Sequence, residues 1–207
     1  MKYRFVVLAE DVACEEFIIA FLSDYATQHS GMLKNTSEEA YSFEQDKKFY
    51  ITVRDKTAID KKLKEACKSA FIEYDVHIFF SVRDVDTHEQ THFNKLYANH
   101  SSDVPDKYKN RVVITLPVRC IETWLWMIKE QKEAPHSNKN LNNLEKQNDK
   151  TAKQNVYGKK HTQEDRKIRI RSICKDVNYS KLKTDSPISF RKFYEDFENV
   201  LQHLKQS

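Results

Sequence analysis

Two apolar runs in this chain stop on acid. "FVVLA", residues 5–9, gives way to Glu10 and Asp11, and "VHIFFSV", 76–82, gives way to "RDVDTHE", 83–89, with Asp84 and Asp86. In a strand, residues two apart share a face, so a D-x-D at a strand's end aims both carboxylates at one point. If the two runs are neighbouring strands, Glu10 joins them. Three carboxylates so gathered repel one another and resist ionising, and a hard divalent cation removes that penalty. Oxygen ligands of this kind suit Mg²⁺ or Mn²⁺. Such an ion neutralises a scissile phosphate and lowers the pKa of an attacking water. Glu10 is either a ligand or the general base; Glu89 and His88, just past the D-x-D, are further candidates for the shell. The competing reading of any one of these acids is a helix cap or a solvated strand end.

The elements that must position these groups follow from periodicity. Residues 3–9 read as a buried strand, and Cys14, Phe17, Ile18, Phe21, Leu22 and Tyr25 then recur with helical spacing over 12–27. Asp11 is placed to cap that helix. Residues 28–48 read as polar and irregular, with a short strand "FYITV" at 49–53. Thr57 and Asp60 resemble a capping box for a helix carrying Ile59, Leu63, Ala66, Cys67 and Ala70. The run 76–82 reads as a strand covered on both faces. A short helix around Phe93, Leu96 and Tyr97 is followed by a strand at 111–118 and an apolar helix at 120–128. Ile170, Ile173, Cys174 and Val177 mark a further helix, and Ser186-Pro187 starts the last one. Strands alternating with helices predict an α/β fold of three layers on a largely parallel sheet, with a C-terminal helical extension. Functional groups in such sheets gather beyond the strands' carboxyl ends, where both acidic clusters lie. The expected organisation is a core over 1–128, a basic and mobile insertion over 129–163, and C-terminal helices over 164–207 that pack on the core.

Composition narrows the chemistry. The 207 residues include only two glycines, Gly31 and Gly158, which excludes the glycine loops G-x-G-x-x-G and G-x-x-x-x-G-K-[ST]. Cys14, Cys67, Cys120 and Cys174 are too scattered for a cysteine-rich zinc site and read as reduced thiols. No apolar run approaches the roughly 18 residues of a membrane span, and "FVVLA" is too short for a signal peptide, so a soluble cytoplasmic protein with no membrane partner is expected. The net charge of +4 is uneven: residues 129–175 hold thirteen Lys/Arg against six Asp/Glu. Lys159, Lys160, His161, Arg166, Lys167, Arg169 and Arg171 fall there, either as phosphate contacts or as a solvated face. Glu122 lies inside an apolar helix, where a carboxylate is costly unless it is paired or faces the cleft. Trp124 and Trp126 read as core.

The order of these motifs resembles the Toprim domain, the catalytic fold of topoisomerases, primases and OLD-type nucleases. In that pattern "VVLAEDVACEEF" supplies a glutamate as Glu10, with Glu15 as the acid that follows, and "FFSVRDVD" supplies Asp84 and Asp86. Asp11 stands where most members have glycine. "PVRCIETWLW", with Glu122 and Trp124, is similar to a segment of small stand-alone Toprim proteins of phage-defence loci, of the RloB-like kind. "YGKKH", 157–161, and "SPISFRKFYEDF", 186–197, resemble their lysine-containing stretch and terminal helix. The resemblance implies metal-dependent cleavage of DNA or RNA (tRNA among the substrates), with Glu10, Asp84 and Asp86 as metal ligands and Lys160 as a catalytic cation. Lys159, Glu15, Glu89 and Glu122 are secondary candidates. It leaves open a partner ATPase of a defence system and a homo-oligomer. Two other classes stand beside it: an inactive Toprim-like binding or regulatory module, and an interaction protein whose acids merely cap helices.

Overall fold

The structure, a computed structural model, describes residues 1–32, 41–49, 55–134, 141–159 and 161–206. Its order is β1 (Lys2–Ala9), α1 (Val12–Met32), β2 (Ser42–Gln45), α2 (Lys56–Ile72), β3 (Ile78–Val82), α3 (Gln90–Asp103), β4 (Val112–Thr115), α4 (Ile121–Glu133), α5 (Asp149–Tyr157), α6 (Gln163–Ile173), α7 (Tyr179–Asp185) and α8 (Ile188–Gln206). Single 3₁₀ segments lie at Asp106–Arg111 and Leu141–Lys146. The strands form one parallel sheet in the order β2-β1-β3-β4. The two acid-terminated runs are therefore neighbours, and Ala9 pairs in register with Val82.

Alternation along the strands divides the apolar residues between two cores. Tyr3 and Phe5 of β1, Phe80 and Val82 of β3 and Val113 of β4 face α1, α4, α6, α7 and α8. Val6 and Leu8, Phe79, and Val112 and Ile114 face α2 and α3. Helices thus cover both faces of the sheet, which is why every residue of β3 and β4 is buried. The larger core is aromatic: Phe21 of α1 lies 4.9–5.0 Å, centroid to centroid, from Tyr179, Phe193 and Phe197. The C-terminal helices form part of the same core as β1 and α1 rather than a separate layer.

Several boundaries differ from expectation. The stretch expected as irregular holds the rest of α1 and the edge strand β2, whose Phe43 is half-buried between the exposed Ser42 and Glu44. Four residues of alternation are too few to register as a strand until β1 pairs with them. The strand expected at 49–53 lies, apart from Phe49, outside the described residues. Helix α2 begins earlier than Thr57: Asp55 is its cap, accepting from the Ala58 N–H at 2.8 Å. Asp60 instead meets Arg83 Nε at 3.0 Å and His100 Nε2 at 2.9 Å. Within 129–163, expected to be a basic, mobile insertion with few apolar anchors, α4 runs on to Glu133, and Leu141, Leu144, Ala152, Val156 and Tyr157 are buried. Leu141, Leu144, Val156 and Tyr157 join the larger core, and α5 ends on Gly158, whose φ of +82° a side chain would strain. No helix among the described residues is long and apolar enough to cross a membrane.

Candidate functional site

Strand passes to helix without a glycine because Glu10 and Asp11 divide the work of the turn. The Glu10 N–H makes one more rung, donating to Val82 O at 3.1 Å. Asp11 Oδ1 then accepts the Cys14 N–H at 2.9 Å, capping α1. The Glu10 side chain is left free to cross to the next strand. Its Oε2 accepts the Asp84 N–H at 3.1 Å, so the ends of β1 and β3 are tied by the site's own carboxylate.

Asp84 is the buried member, 9% exposed. Its Oδ1 accepts the Ile121 N–H at 3.0 Å, at the amino end of α4, and lies 3.8 Å from the Cys14 thiol. Burial first, then the charges of Glu10 and Glu122, push this carboxyl well above the usual aspartate range. Burial also raises Glu10, although Lys56 and the Asp84 N–H pull it back.

Asp86 does not share a face with Asp84. β3 ends at Val82, and Asp86 sits in the left-handed region at φ +68°, a conformation aspartate tolerates better than most side chains. Two bonds to Arg119 pin it there: its N–H donates to Arg119 O at 3.2 Å, and Arg119 Nη1 donates to Asp86 O at 3.2 Å. The Asp86 carboxylate turns to Lys56, at the start of α2, whose Nζ also lies 3.7 Å from Glu10 Oε1. Burial works against the Lys56 charge, yet Asp86 and Glu10 hold its pKa above the ordinary lysine value. The expectation that D-x-D aims two carboxylates at one point is corrected accordingly. Among the described residues no group of three His, Cys, Asp or Glu side chains is arranged to hold a metal ion.

In chemistry the donors nevertheless fit a hard divalent cation. Glu10 and Asp84 adjoin at two strand ends and resist ionising, and Asp86 meets the same cationic group as Glu10. In this conformation that group is the Lys56 ammonium.

The remaining candidates separate. Glu15 is turned away, its Oε1 accepting from Gln45 Nε2 at 2.7 Å beside β2. Glu89 is an exposed residue preceding α3, and His88 Nδ1 accepts from Arg119 Nη2 at 2.9 Å. Glu122, only 1% exposed, adjoins the cluster at the first turn of α4, and its Oε1 has no hydrogen-bond partner among the described residues. Burial raises its pKa, opposed by the charge of Lys153. Lys159 is exposed, and Lys160 lies outside the described residues. Of the basic series, Arg171 is committed to the buried Glu16, and Arg166 lies over the Tyr157 ring at 5.5 Å. Trp124 is core, its Nε1 donating to Ser189 Oγ at 3.0 Å, and Trp126 donates to Glu130. Sequence reasoning missed Lys56, Cys14, Arg119 and Lys153; "RDKT" holds one lysine among many, and nothing along the chain marks it as facing acids beyond the ends of β1 and β3.

Comparison with protein-family models, with curated proteins and with solved structures gives no match for this chain.

Proposed function

We propose that the chain is a Toprim-like, Mg²⁺- or Mn²⁺-dependent phosphodiesterase that cleaves nucleic acid, as in anti-phage defence. The observation that carries this reading is the Glu10–Asp84 hydrogen bond, which joins two acid-bearing strand ends, with Asp86 reaching the same cation as Glu10. Glu10, Asp84 and Asp86 would hold the ion, which supplies Lewis-acid stabilisation of the phosphate and an acidified water. The protein's own groups do the rest. Asp84 is anchored on the Ile121 N–H, a contact that does not involve Lys56. Glu10 Oε1, which faces Lys56, is the oxygen the ion would meet once Lys56 moves aside. The basic side chains of α6 offer contacts to flanking phosphates.

Lys56 supports a second reading. A cluster already neutralised by an ammonium also suits a catalytically inactive module that binds nucleic acid or a partner such as an ATPase. One assay separates the two: the purified chain is incubated with tRNA, single-stranded and duplex substrates in Mn²⁺, beside Asp84→Asn. Cleavage by wild type and none by the variant supports the nuclease; equal cleavage, or none by either, removes it.

A further inference from the structure

A cleft of about 270 Å³ opens between the beginning of α1 and the exposed side of α6. Asp11, Val12 and Ala13 form one wall, Gln163, Arg166 and Lys167 the other, and Ile170, fully buried, also lines it. The basic series of α6 is thereby sorted. Arg166 and Lys167 are half-buried in the cleft, Arg169 is exposed, and Arg171 is paired with Glu16. Neither cleft cation is firmly neutralised. Arg166 stacks on Tyr157, and its buried Nε has no hydrogen-bond partner among the described residues. Among the described residues the ion pair of Lys167 is with the exposed Glu164, at 3.9 Å. Asp11, the one acid in the lining among the described residues, has Oδ1 committed to the Cys14 N–H. Asp11 also follows Glu10 directly, and its charge is felt by both Glu10 and Asp84, so the cleft adjoins the carboxylate cluster.

We propose that this cleft seats a backbone phosphate of the nucleic-acid strand, next to the scissile one, held by Arg166 and Lys167. The inference rests on the nucleic-acid reading and specifies which residues take the substrate. Arg166, pre-oriented by the Tyr157 ring, presents a planar fork that matches two phosphate oxygens, and Lys167 adds a point charge. Each neutralised phosphate releases condensed counterions, which gives the site a salt signature.

The test measures anisotropy of a labelled single-stranded oligonucleotide in EDTA, from low to moderate salt, so that binding is read without cleavage. Arg166→Ala and Lys167→Ala should each weaken binding about tenfold, the effect of one charge-assisted hydrogen bond. The two substitutions together should reduce the slope of log K against log salt by about 0.7, the share of one phosphate. Arg166→Lys should keep most of the slope, and Lys64→Ala, which removes an exposed charge on α2, should change neither quantity. Thermal melts matching wild type exclude misfolding as the cause. Wild-type affinity and slope in the Arg166→Ala/Lys167→Ala double variant overturn the assignment. If that happens while Mn²⁺-dependent cleavage persists, only the cleft falls. If the variants lose binding but no protein cleaves, the cleft stands and the nuclease reading falls. A wild-type chain that binds no oligonucleotide removes both.

Discussion

Glu10 Oε2 accepts the backbone N–H of Asp84 at 3.1 Å, across 74 residues of chain. A carboxylate that ends one strand therefore fixes the geometry of the acid that ends its neighbour. The fold and the candidate chemistry share this bond, so substitutions at the cluster should separate stability from activity.

Asp84→Asn should abolish Mn²⁺-dependent cleavage while leaving the protein as stable as wild type or about 1 kcal/mol more so. Asparagine keeps an oxygen for the Ile121 N–H and removes a buried charge facing Glu10 and Glu122. Thermal melting and the cleavage assay on the same preparation check both halves; a variant that simply unfolds would make Asp84 a structural acid.

Lys56→Gln should destabilise the metal-free protein, because Glu10 and Asp86 lose their shared counter-charge. It should also enlarge the rise in Tm caused by millimolar Mn²⁺, since a ligand stabilises the native state by mass action and a competing cation has been removed. A rise no larger than that of wild type would show that Lys56 does not occupy the ion's place.

Glu145 offers a pH prediction away from the cluster. Burial raises its pKa to about 7, opposed by the Ser189 hydroxyl that donates to it. A carboxyl whose folded pKa lies above its unfolded one stabilises the fold at low pH. That contribution is lost as pH rises from about 4.5, the ordinary value, through about 7. Glu145→Gln keeps an acceptor for Ser189 and removes the titration. The variant should gain up to about 3 kcal/mol relative to wild type at pH 8 and little at pH 4, measured by urea unfolding at both. An equal difference at the two pH values would refute it.

Phe21→Ala should cost about 3–5 kcal/mol, as expected for an aromatic deleted from a packed core. Phe21 is fully buried and touches Tyr179, Phe193 and Phe197, so the cavity would open between α1 and the C-terminal helices. Urea unfolding measures it; a cost below 1 kcal/mol would mean that α8 is not integral to the core.

Local pattern alone determined much of this protein. The apolar runs of β1, β3 and β4, the helical spacing of Phe17, Phe21 and Tyr25, and the acids at two strand ends were legible because burial imposes periods of 2.0 and 3.6 on any chain. Composition excluded glycine loops outright. Tertiary structure decided what lies opposite what. β2 gains its identity from pairing with β1, and Leu141, Leu144, Val156 and Tyr157 become anchors only when α4 brings them a core. Asp86 leaves the face it would share with Asp84 because Arg119, 33 residues on, holds it in a left-handed turn. Lys56 becomes the counter-ion of two acids beyond the ends of β1 and β3, and Arg166 and Lys167 are distinguished from Arg169 and Arg171 by facing the start of α1. Those pairings are long-range, and the charge or polarity of a residue does not encode its distant partner. Periodicity records only whether a side chain is covered; the fold selects what covers it.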